Sequence, residues 1–187
     1  MTIRILEKET IRQQLYPLSV QAYHTLSENG IIPEKTELLE GAVIKKMSKN
    51  PIHSGMVSKI TNFFKNHLPQ KYYIRKGDPI SFLGSEPEPD IAIVDYIEDE
   101  YMFFHPSTAY LIIEVANTSI ELDREKASIY AKGGITEYWI INLNNQTTEV
   151  YKNPYNGYYT ESVIIPKNDI LLPAFFPELK FQLGSFY

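Results

Sequence analysis

Two acidic residues stand where apolar side chains are expected. Asp90 follows Pro89 and opens the short apolar run 91–94, and Glu114 interrupts a second run, 110–115. Both runs have the length of buried strands, and an ionised carboxylate buried without a partner costs several kcal/mol. A cation, a network of donors or a reaction must therefore account for them. Strand alternation sends Ile112, Glu114 and Ala116 to one face and Leu111, Ile113 and Val115 to the other, so Glu114 can address a site while its neighbours pack. Asp90, at the mouth of its strand, can meet both water and a metal. Hard oxygen ligands of this kind suit Mg²⁺ or Mn²⁺, which take one or two carboxylates and fill the rest of their shell with water and substrate phosphate.

A lysine follows on the next element. Lys126 lies four residues after Leu122 and four before Tyr130, on the stripe of a helix over 121–132 that ends at Gly133-Gly134. Either its ammonium snorkels outward with only the methylenes buried, or it reaches the two carboxylates. Upstream, two apolar stretches around Glu40-Gly41 predict a hairpin over 36–47 with its turn at the glycine. Glu40 then sits at the exposed turn and Glu37 inside a strand, which makes Glu37 the better functional candidate. His53 precedes the helix 54–68 and reads as a polar cap or as a site residue.

The elements that must position these groups follow in order. A helix over 19–27 starts at a Ser19 cap and stops at Asn29-Gly30. The helix 54–68 carries Met56, Ile60, Phe63, Phe64 and Leu68 on one stripe, with Lys59 and Lys65 on a basic outer side. Strands are predicted over 72–74, 79–83, 91–94, 109–115 and 138–142, with a loop over 84–89, an acidic loop over 95–101 and an antiparallel extension including 149–152 and 158–165. Strand, helix, strand with near-continuous apolar strands predicts a right-handed crossover in a sheet covered on both faces. The fold class is α/β with a mixed central sheet, in one domain spanning 1–187.

Composition narrows the chemistry. The chain has no cysteine, which removes disulfides and thiolate sites and fits a reducing compartment. It shows no apolar run near the roughly 18 residues of a membrane span and no apolar leader, so a cytoplasmic location is expected. The triplets at Asn117 and Asn145 match glycosylation sequons but carry little weight without a secretion signal. No phosphate-binding glycine loop, GxGxxG, HExxH or GxSxG is present. The net charge is -5, yet the charge is segregated: residues 45–76 hold Lys45, Lys46, Lys49, Lys59, Lys65, Lys71, Arg75 and Lys76 and no acid, whereas 77–123 hold acids and no Lys or Arg. An enzyme acting on phosphodiesters needs one part to draw in the polyanion, here Lys59 and Lys65, and another to hold cations. Chance segregation on solvated faces is the alternative.

The order of Glu37 in a first strand with Gly41 after it, Pro89-Asp90, Glu114-Val115-Ala116, Asp123 to Lys126 and then Glu137-Tyr138-Trp139-Ile140-Ile141 resembles the Uma-two family of endonuclease-like proteins, a branch of the PD-(D/E)XK restriction-endonuclease-like superfamily. The resemblance runs from about Tyr23 to the Pro-Glu-Leu segment after Phe176. It implies a restriction-endonuclease-like core and divalent-metal-dependent cleavage of DNA by a homodimer. Asp90 and Glu114 are then metal ligands, Glu37 and Lys126 complete the catalytic set, and His53 and Asp123 are accessory. The superfamily's third motif would place lysine at position 116, where this chain has Ala116; the resemblance implies that the lysine has moved to Lys126. Glu137-Tyr138-Trp139 also matches, but a strand start with an anchoring indole explains it structurally. The alternatives are a catalytically silent nucleic-acid-binding or partner-binding module and another carboxylate-metal phosphoesterase.

Overall fold

The computed structural model describes residues 4–97 and 100–187. A short helix α1 (Glu9–Arg12) leads to α2 (Val20–Glu28), whose Ser19 cap accepts the Ala22 N–H. The expected hairpin follows as β1 (Thr36–Leu39) and β2 (Ala42–Lys45), a sheet of its own. The main sheet has the order β3-β4-β5-β6-β7-β8, formed by β3 (Tyr72–Arg75), β4 (Ile91–Asp95), β5 (Leu111–Ala116), β6 (Glu137–Asn142), β7 (Thr147–Tyr155) and β8 (Tyr158–Pro166). Only β5 and β6 run parallel, joined by helix α4 (Ile120–Lys132). The antiparallel extension is the β7–β8 ribbon. Part of the predicted acidic loop 95–101 lies outside the described residues.

Helix α3 (Pro51–His67) forms because Asn50 caps it, Pro51 occupies its first turn and Met56, Ile60 and Phe64 recur on one face. That face packs with Leu111, Ile113 and Val115 of β5, Trp139 and Phe181. On the opposite side of the sheet Ile112 and Ala116 pack with Tyr138, Ile140 and Tyr130 of α4. The alternation expected for β5 is thus the one observed, and it turns Glu114 toward α4. Arg124 fixes α4 onto β7 by donating to Glu149 at 2.6 Å. Glu137 is fully buried; it accepts from the Trp139 indole at 2.8 Å and from the Ala174 N–H at 2.7 Å, which is the structural reading of that motif.

Residues 79–83 were expected to be a strand and are not. Their backbone is satisfied by loops: the Ile80 N–H donates to the Pro87 carbonyl and the Ser81 N–H to that of Pro106. Left-handed Leu83 and Gly84 then close a tight turn, leaving a single bridge between Phe82 and Ser85. The hairpin docks just after this segment, where Leu38 and Glu86 exchange backbone bonds. Gly41, at φ +77°, sits with its Cβ position only 2.3 Å from Pro17 Cβ, and its N–H donates to the Gly84 carbonyl. Only glycine allows this close approach at the hairpin turn. Among the described residues no helix is long and apolar enough to cross a membrane.

Candidate active site

Four elements bring the buried charges together. β1 supplies Glu37, the start of β4 supplies Asp90, β5 supplies Glu114 and α4 supplies Lys126, and all four are nearly inaccessible. The Lys126 ammonium lies 3.0 Å from Glu37 Oε1 and 3.0 Å from Glu114 Oε1, so it points inward and does not snorkel. Tyr130 OH also donates to Glu114 Oε1, at 3.0 Å, while the Asp90 N–H donates to Glu114 Oε2 at 3.1 Å. Glu37 Oε2 accepts the Glu88 N–H. Asp90 Oδ2 accepts from the Val115 N–H and pairs with His53 Nε2, both at 2.9 Å; Asp90 Oδ1 lies 3.0 Å from the Lys49 ammonium.

These groups line a cavity of about 90 Å³, open on one side, whose rim is completed by Lys46 and by Asn117, Thr118 and Ser119. That volume admits a few water-sized groups. His53 belongs to it. The capping role considered for this histidine falls to Asn50, whose side chain accepts the His53 N–H and leaves the imidazole free to face Asp90. Asp123 does not line the cavity; it is buried in the first turn of α4, where its carboxylate accepts from the Ser119 hydroxyl at 2.6 Å. Lys59 and Lys65 also lie away from it. Lys59 donates to the Phe186 carbonyl at 2.6 Å, and Lys65 borders a separate groove with Lys71 and Tyr72. The lysines that flank the cavity are Lys46, paired with Glu88, and Lys49. Both lie in the basic stretch 45–76, but only the turn from β2 into α3 shows which of its members face the carboxylates.

Burial dominates the electrostatics. It pushes the Glu114 carboxyl up to about 8, against the opposing pull of Lys126 and with help from Asp90. Burial likewise raises Asp123 to about 6. For Asp90 burial works in the same direction, but the hydrogen bond and charge of His53, Lys49 and the Val115 N–H outweigh it and hold the carboxyl below its ordinary value. Burial works to lower the Lys126 pKa, but the Glu114, Glu37 and Asp123 carboxylates hold the lysine firmly protonated.

A stability prediction follows by linkage. An acid with a raised folded pKa stabilises the fold below its unfolded pKa, and that stability is lost as pH rises through the folded value. Without added metal, the melting temperature should therefore fall by a few degrees between about pH 5 and pH 8 on account of Glu114 and Asp123. Glu114→Gln should flatten the decline, as read by thermal denaturation across pH. A melting temperature that climbs over this range in wild type, and climbs less in Glu114→Gln, would show instead that Glu114 is stabilised as a carboxylate.

The donor set fits a hard divalent cation. Asp90 and Glu114 present carboxylates to one cavity lined by Glu37, Glu88, Asp90 and Glu114 against Lys46, Lys49 and Lys126, and the position at Asp90 Oδ1 already holds a cation, the Lys49 ammonium. Among the described residues no group of three or more His, Cys, Asp or Glu is arranged to hold a metal. Two carboxylates alone would suit Mg²⁺ or Mn²⁺, which complete their shell from water and substrate, better than a closed structural zinc site.

A mixed sheet flanked by helices, with the acidic cluster where the hairpin, β4, β5 and α4 meet, defines a restriction-endonuclease-like fold. The chain aligns with the crystal structure of "a putative nuclease belonging to DUF820 from Anabaena variabilis ATCC 29413" with a TM-score of 0.71 and 20% identity, covering 86% of this chain and 96% of that one. Residues 20–184 match the family described as "Uma2: Putative restriction endonuclease", and the chain belongs to that family. No curated protein matches the sequence.

Proposed function

We propose that this chain is a divalent-metal-dependent endonuclease that hydrolyses DNA phosphodiester bonds, acting in the cytoplasm as a homodimer of single-domain protomers spanning residues 1–187. The observation that carries the reading is the convergence of Glu37, Asp90, Glu114 and Lys126 from four elements onto one open cavity. Four buried charges are costly to desolvate, and unlike the buried Glu137 and Glu149 these converge on a cavity that a substrate could enter. The family, described as "Putative restriction endonuclease", supports the class of reaction, and the structural likeness supports the fold.

In this reading water adds to phosphorus, the bond to the leaving sugar oxygen breaks, one proton leaves the water and one reaches the leaving oxygen. Asp90 and Glu114 would hold Mg²⁺ or Mn²⁺, which would supply positive charge against the phosphoryl oxygens and lower the pKa of a water. Glu37 holds Lys126 at the floor of the cavity, where its ammonium steadies charge developing on the phosphate. His53 fixes the orientation of Asp90. Asp123 acts at one remove, by tying Ser119 to the first turn of α4.

The test is incubation of supercoiled, linear duplex and single-stranded DNA with the wild-type protein and Mg²⁺ or Mn²⁺. Cleavage of at least one form is expected. No product from any form with either metal would favour the silent nucleic-acid-binding module. Sedimentation at working concentration tests the dimer, which rests on the resemblance and on the frequency of two-fold assemblies.

Lys59 and Lys65 remain candidates for phosphate contacts outside the cavity, since both are exposed on the outer side of α3. Neutralising both should weaken binding to all DNA sequences alike and make its salt dependence shallower by up to about two in log-log slope. An unchanged slope would assign the basic outer side of α3 to solvation alone.

A further inference from the structure

We propose that Lys49 is the exchangeable cation of the site: its ammonium occupies Asp90 Oδ1 until a divalent metal is taken up, and the released ammonium then binds a phosphate of the DNA substrate. This rests on the metal-dependent cleavage reading and adds to it a residue outside the set of Glu37, Asp90, Glu114 and Lys126.

The argument lies in which carboxylate oxygens can change partner. Glu114 Oε1 is held by Lys126 and Tyr130, both buried, and Glu114 Oε2 by the backbone N–H of Asp90. Asp90 Oδ2 is held by the backbone N–H of Val115 and by His53, whose side chain is 12% exposed. Of the four Asp90 and Glu114 oxygens, Asp90 Oδ1 is the one whose partner can leave without breaking a buried bond: the Lys49 side chain is 52% exposed. A ligand arriving through the cavity therefore meets Lys49 first and gains Oδ1 by replacing it.

Chemistry then says where the ammonium goes. Lys49 is tethered one residue before the cap of α3, at the rim of the same cavity, so after displacement it stays at the mouth. A flexible four-carbon stem with a compact charge is a general phosphate ligand. DNA that draws Lys49 away from Asp90 frees an oxygen for the metal, and metal on Asp90 frees Lys49 for the DNA. The two ligands are then coupled, and by linkage each tightens the other.

The experiment uses the full chain and Lys49→Met, which keeps the stem and removes the charge. Calorimetric titration of the DNA-free proteins with Mn²⁺ should show tighter binding to the variant, by roughly 5-fold or more. Cleavage at saturating Mn²⁺ should show a KM for DNA raised several-fold with kcat changed little, and a salt slope shallower by about one. Thermal melting should confirm that the variant is folded. Mn²⁺ affinity equal to or weaker than wild type overturns the exchange, as does an unchanged KM with an unchanged salt slope. If wild type binds no Mn²⁺ and cleaves no DNA, the metal reading and the exchange fail together; normal wild-type binding and cleavage with an indifferent Lys49→Met removes the exchange alone.

Discussion

Lys126→Met should slow DNA cleavage by about 10²-fold or more, the scale of losing a charged group that stabilises a transition state. The side chain lies on an otherwise apolar stripe, which on sequence grounds suggests that methionine would be tolerated. The structure adds a stability term. Lys126 is the shared counter-charge of Glu37 and Glu114, and stranding a buried charge costs about 3–5 kcal/mol when it cannot be relieved. Here part of it can be, because Glu114 already titrates near 8 and can accept a proton in place of the ammonium. A lowered melting temperature should thus accompany the lost activity. Two variants separate the effects. Lys126→Met combined with Glu37→Gln should recover stability without recovering cleavage. Lys132→Met, six residues on, should leave cleavage nearly unchanged, since Lys132 is about half exposed and pairs with Glu40 at the hairpin turn. Full activity in Lys126→Met would remove the lysine from the mechanism, and a loss confined to Lys132→Met would show that the other lysine carries it.

Much of this arrangement is legible in the sequence because the signals are local. Period-two alternation placed Glu114 opposite Leu111, Ile113 and Val115, and helical spacing put Lys126 on the buried face of α4. Glycine and hairpin chemistry located the turn at Gly41. The failures are equally instructive. Residues 79–83 carry apolar side chains suited to a strand, but their backbone partners are loop positions, Ser85 and Pro87 nearby and Pro106 farther along the chain, and pairing with loops leaves no strand signature.

The site shows the same division. A buried acid is visible as an anomaly in an apolar run, so Asp90 and Glu114 stand out. A lysine among several in a basic segment does not, and Lys49 is separated from Lys59 and Lys65 only by the path of the chain from β2 into α3. His53 needed one further fact: that Asn50, three residues earlier, takes the cap. Tyr130 reads as core, and its hydroxyl bond to Glu114 appears only when β5 and α4 are packed together.

Asp90→Ala should abolish cleavage to within detection, by about 10³-fold or more, because it removes the cavity carboxylate that the proposed mechanism uses to hold the metal. Its structural cost is bounded. The Val115 N–H and the largely buried His53 Nε2 both lose their partner, a loss of about 1–3 kcal/mol for each that no water replaces, while the half-exposed Lys49 can turn to solvent. The variant should therefore remain folded enough to assay. The most direct measurement is the rate of nicking of supercoiled plasmid by wild type and by Asp90→Ala, with Mg²⁺ or Mn²⁺ and with chelator. Nicking by wild type that needs the metal and is lost in folded Asp90→Ala is the expected result. Equal nicking by the two proteins, or wild-type nicking that persists undiminished in chelator, would contradict a metal-dependent site built on Asp90.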